Sequence, residues 1–209
     1  MFLNFDIDKI DMPEEDKKEA TKIINDIGKI VLSSNHLMFH FNNVYNALSD
    51  KDIEDSQKEW IELGGDRAQR DALISIINKH EKKNNIYYKL LKKVLLEAND
   101  LSEYRNTIVH VNITFDFSGK ISIRDSETAE KHLKNWSKLV KDNSLQPLLD
   151  DYRILIERAA ALSFFSMVPQ FKAELDECQS IDDMKNEMIK NFLKAVSNPT
   201  KEYQLIEYR

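Results

Sequence analysis

Residues 85–110 read NIYYKLLKKVLLEANDLSEYRNTIVH. From Asn85 to Glu103 the apolar residues Ile86, Leu90, Leu91, Val94, Leu95, Ala98 and Leu101 recur at three- and four-residue intervals, with no Gly or Pro among them. That spacing predicts a long amphipathic helix. Its far end carries Tyr104-Arg105-Asn106-Thr107-Ile108-Val109-His110, where charged, polar and titratable groups crowd into an apolar run. On an ideal helix Asn106 and His110 lie four apart and share a face, whereas Arg105 and His110, five apart, point about 140° away from each other. The Arg and the His therefore converge on one ligand only if the helix ends between them or if a second chain contributes.

The residue types suit one kind of chemistry. An imidazole with an ordinary pKa near ~6.5 takes or gives a proton at neutral pH, a guanidinium holds a phosphate at two points, and an amide orients either. Such a set fits metal-free cleavage of RNA, in which a base deprotonates the ribose 2′-hydroxyl while a cation stabilises the charge growing on the phosphate. With five His in the chain, Arg105/His110 is the only Arg–His pair at this spacing, and it falls at the end of the most periodic helix.

Arg105, the polar Asn106, three further residues and then His110, set in apolar flanks at a helix end, resemble the R-x(4–6)-H signature of HEPN-domain proteins. Upstream, Leu63-Gly64-Gly65-Asp66-Arg67 opening a helix about forty residues before the motif is similar to one group of bacterial HEPN-like proteins. The resemblance covers roughly Ile24 to Ala173. One position departs from it: Val111 follows His110 where Gly is common in the family.

The resemblance implies an all-α bundle and a metal-independent endoribonuclease of the toxin–antitoxin or antiphage kind. It also implies a homodimer whose two motifs face each other across a cleft. Arg105 would clamp the phosphate, Asn106 would orient, and His110 would act as base or acid, with no cofactor and no metal. The partners expected are RNA, a second copy of the chain, and an antitoxin or sensor protein.

Working outward, 209 residues suffice for one well-buried domain with small appendages. Four Gly, four Pro, 32% charged and 42% hydrophobic residues make the composition of a mainly helical protein. Cys178 stands alone, which excludes a disulfide framework and agrees with a reducing cytoplasm. No run of eighteen apolar residues occurs, so no membrane span is expected. A net charge of −6 argues against holding nucleic acid by broad electrostatic attraction. Between Lys79 and Lys93, however, six Lys stand against the single Glu81, with Tyr87 and Tyr88 among them. That segment reads either as a phosphate-contacting face with aromatic platforms or as a solvated helix face.

The chain divides into an N-terminal arm over 1–12, a helical bundle over 13–178 and a C-terminal helix and tail over 179–209. Pro13-Glu14-Glu15-Asp16 starts a helix that should run to Leu48, with Ser33-Ser34-Asn35 as the expected break or kink. On it His36 and His40 have the spacing of a helical metal pair, but their apolar neighbours favour satisfied histidines at a core edge. Trp60-Ile61 should anchor the next polar segment, and Asp66 should cap a helix whose first turn holds Arg67 and Arg70, both read as surface groups. After the motif the period changes to two: Val111, Ile113, Phe115 and Phe117, then Ser118-Gly119, then Ile121 and Ile123 predict a β-hairpin over about 111–124.

Helices are expected after Asp125, from Leu145 to Asp176 with a disturbance at Pro169, and after Ser180. Five or six helices with one inserted hairpin is the architecture so predicted. Phe164, Phe165, Met167 and Val168 form an apolar patch, read as core or dimer surface. Two functional alternatives accompany the nuclease. One is an RNA- or nucleotide-binding module that does not cleave, and the other is a helical interaction protein working through that patch and the hairpin.

Overall fold

The computed structural model describes residues 13–80, 86–110, 112–115, 121–124, 144–167 and 190; for His80, His110 and the strand segments it describes the backbone alone. Among the described residues the chain is helical, with five α-helices: α1 Glu14–Leu48, α2 Ile53–Glu62, α3 Asp66–His80, α4 Ile86–His110 and α5 Gln146–Met167. The arm, the helices expected after Asp125 and Ser180, Cys178, Val168 and Pro169 lie outside the described residues. Asn112–Phe115 and Ile121–Arg124 run antiparallel, with Ile113 opposite Ile123; how the predicted hairpin packs on the helices lies outside the description.

The helix ends follow from local chemistry. The Pro13 carbonyl accepts the first helical bond of α1 from Lys17 N at 3.0 Å, and Glu14, Glu15 and Asp16 fill the first turn, where the dipole favours acids. The Asp52 side chain caps α2 by accepting from Asp55 N at 2.9 Å. Gly64, at φ +73, then turns the chain out of α2, and its N–H donates to the Ile61 carbonyl. Gly65 takes the cap position expected of Asp66: its carbonyl accepts from Gln69 N, and Asp66 is the first residue of α3.

Three further expectations are corrected. Of the break or kink expected at Ser33-Ser34-Asn35, a break does not occur: α1 runs on for 35 residues, and Ser34 is buried within it. Of the Trp60-Ile61 anchor only Trp60 is buried, since Ile61 is 74% exposed. Arg70 is no surface group: it is buried, its Nε donating to Asn99 Oδ1 at 2.6 Å and its Nη1 to Met38 Sδ at 3.7 Å.

The chain forms two compact units, Met1–Asn35 with Asp100–Arg153 and His36–Asn99 with Ile154–Arg209. In the first, Ile23, Ile30, Leu101, Ile108, Leu145 and Tyr152 are buried, and the Tyr152 hydroxyl donates to the Leu101 carbonyl at 3.3 Å. The second buries Phe41, Leu73, Ile77, Leu91, Leu95 and Leu162. Its polar groups are tied by specific bonds: Tyr87 donates to the Leu162 carbonyl at 3.1 Å, Arg158 pairs with Glu97, and Tyr45 donates to Glu59 Oε2 at 2.6 Å.

The Tyr45–Glu59 bond makes stability depend on pH. Burial, followed by the hydrogen bond and charge of Glu59, pushes the Tyr45 phenol up to about 12. A raised pKa means that this contribution is complete below 10 and is lost as the pH climbs towards 12. Hydrogen bonds from Tyr45 and then Lys51 hold Glu59 below the usual carboxylate range, so its contribution fades as the pH falls below 4.5. Circular dichroism between pH 9 and 12 should show alkaline loss of stability that is shallower in Tyr45→Phe. That variant should cost about 1 kcal/mol at neutral pH, Glu59 being partly exposed.

Candidate functional site

The last turns of α4 carry the predicted residues. Thr107 and Ile108 face inward and are buried, and Thr107 Oγ1 donates back to the Glu103 carbonyl at 3.0 Å, a bond that occupies the hydroxyl within its own helix. Arg105 is half-buried, Asn106 is exposed, and Val109 is 45% exposed. Arg105 Nη1 donates to Asn106 Oδ1 at 2.8 Å, so adjacent residues couple a cation to an amide at the helix surface. Both sit near the C-terminal end of α4, where the helix dipole favours positive charge, including an approaching cation or an imidazolium.

The helix does not end between Arg105 and His110; α4 includes His110. Arg105 and Asn106 are therefore brought together, while the backbone directions of Arg105 and His110 diverge by about 140° within one chain. The His110 side chain lies outside the described residues. Thr107, whose hydroxyl bonds back within its own turn, was not singled out in the sequence.

The lysine-rich segment takes its bland form. Lys79, Lys89 and Lys93 are exposed, but Tyr87 and Tyr88 are buried at 3% and 2% exposure, and so are packed groups and not stacking platforms. Burial raises the Tyr87 phenol well above its ordinary value. Arg67 is exposed near Asp71, at 3.9 Å. Phe165 is buried, whereas Phe164 and Met167 are 52% and 53% exposed, so the predicted patch splits into a core half and a surface half.

On α1 the two histidines are not satisfied core-edge groups. His36 is exposed, and His40 is half-buried with an Nδ1 that is buried and has no hydrogen-bond partner. A cavity of about 600 Å³ opens beside Asn43, Asn46, Ile53, Gln57, Ser166 and Met167, none of them charged. Among the described residues no group of three His, Cys, Asp or Glu is placed to hold a metal ion. Nor is any described helix long and apolar enough to cross a membrane.

No family model, no curated protein and no solved structure matches the chain.

Proposed function

We propose that the chain is a metal-independent endoribonuclease of HEPN type, acting as a homodimer on RNA in the cytoplasm, with Arg105, Asn106 and His110 as its working residues. The observation that carries this reading is the continuity of α4 through His110 together with the Arg105–Asn106 bond. Continuity leaves a second chain as the way to bring an Arg and a His to one phosphate, and a symmetric dimer supplies both motifs at once. The bond to Asn106 fixes the guanidinium fork, which suits two-point phosphate binding. The short antiparallel pair after His110 is, in this reading, the hairpin inserted at the edge of the cleft.

The reaction follows from those groups. His110 of one chain takes the 2′-hydroxyl proton, the 2′-oxygen attacks phosphorus, and Arg105 from the other chain stabilises the charge on the non-bridging oxygens. The bond to the 5′-oxygen breaks, and that oxygen leaves with a proton. The products are a 2′,3′-cyclic phosphate and a 5′-hydroxyl end. Incubation with mixed cellular RNA in EDTA, followed by analysis of the fragment ends, tests the reading; intact RNA in the presence of saturating protein would count against it. Asn106→Ala should slow cleavage by about tenfold, the size of losing one orienting bond to a charged group, with little change in stability.

A second reading, a protein-interaction module, draws on one feature: Phe164 and Met167 stand exposed, three apart, at the end of α5. Phe164→Asp would then abolish cellular activity that Arg105→Ala leaves intact.

A further inference from the structure

We propose that His36 and His40 form a site for a divalent transition-metal ion of the copper, nickel and zinc class, held by two imidazole nitrogens. The inference does not rest on the nuclease reading, and the reaction given above uses no ion. It starts from the unbroken course of α1. A break at Ser33-Ser34-Asn35 would have left the register of these residues open; the continuous helix sets them one turn apart on one face.

Their ring centroids are 4.8 Å apart, with planes inclined at 35°. Metal–imidazole bonds of about 2.0–2.1 Å let one ion bridge two rings at that separation. His36 is exposed, so an ion reaches the pair from solvent.

The buried, unpartnered Nδ1 of His40 is the second observation. A buried polar atom without a partner calls for an explanation, and an ion drawn to that ring is one.

The donor set selects the ion. Two nitrogens favour copper, nickel and zinc over magnesium and calcium, which need oxygen ligands. No third His, Cys, Asp or Glu joins the pair among the described residues, so the remaining positions fall to water and the ion exchanges freely. Copper(II) should bind tightest, following the general affinity order.

Electron paramagnetic resonance of the full chain with less than one equivalent of Cu²⁺ tests this. The wild type should show hyperfine structure from two nitrogens, and His36→Gln and His40→Gln should each lose it, while His80→Gln retains it. A two-nitrogen signal that survives both substitutions overturns the proposal, as does a wild-type spectrum without it. Should either variant lose helicity, side-chain imidazole NMR of the wild type decides. Broadening of His36 and His40 together, ahead of the other histidines, supports the site, and broadening of other histidines first overturns it.

Discussion

Arg105→Ala and His110→Ala should each be inactive on RNA, yet a mixture of the two should cut. Loss of a general acid–base group lowers a rate by about 100- to 10,000-fold, and loss of a charge-stabilising donor by about 100- to 1,000-fold. Each homodimer of a single variant lacks the same group at both sites. In a mixed dimer of the proposed kind one site would lack both groups and the other would have both, since the proposed site takes its Arg from one chain and its His from the partner. Random pairing makes about half of the dimers mixed, each with one of two sites intact, so co-expression should restore about a quarter of the wild-type rate. If Arg and His served one phosphate within a single chain, mixing would restore nothing. The comparison thus separates a shared site from a self-contained one, and circular dichroism of each variant checks that the fold survives.

Glu97→Ala should be the most damaging of the stability variants. Arg158 is 3% exposed by side chain and pairs with Glu97, whose own side chain is 37% exposed. Removing the carboxylate takes the Glu97 counter-charge away from a buried guanidinium. A fully buried pair broken in this way costs about 3–5 kcal/mol; water reaching the Glu97 position lowers the expected cost to about 2–3 kcal/mol. In a chain of this size that corresponds to a fall in Tm of roughly 4–12 °C. Arg158→Met, which removes the charge but keeps most of the volume, should cost much less, since the desolvation of the guanidinium disappears with it. Equal losses in the two variants would show that packing, and not the buried charge, sets the effect.

Helix α4 was legible because its apolar residues repeat without interruption, but the period read to about Glu103, whereas the helix continues through the motif to His110. The span of α1 was legible to Leu48, but a break was expected at Ser33-Ser34-Asn35 because Ser and Asn are weak helix formers in isolation, while here tertiary burial of Ser34 outweighs local preference. Arg70 shows what a charge label conceals. It lies three and seven residues before Leu73 and Ile77, both fully buried, and so belongs to the inward stripe of α3. Tyr87 likewise precedes the buried Leu91 and Val94 at helical intervals. Periodicity carried both facts, and residue type overrode it. The Arg158–Glu97 pair, by contrast, spans 61 positions, and no local pattern announces it. At the motif, the residue types and their spacing were readable, whereas the Arg105–Asn106 bond depends on side-chain rotamers that spacing leaves open.

The same long-range bonds order events during synthesis. Tyr87 meets Leu162 across 75 positions, Arg158 meets Glu97 across 61, and Tyr152 meets Leu101 across 51. Contacts this distant in sequence close slowly, and in a growing chain their later members do not yet exist when the earlier ones emerge. Arg105, Asn106 and His110 leave the ribosome well before α5 can dock against its partners on α4. A ribosome therefore releases the motif before α5, and the lag before α5 arrives gives the nascent chain an interval in which α4 carries the motif without its last packing partner.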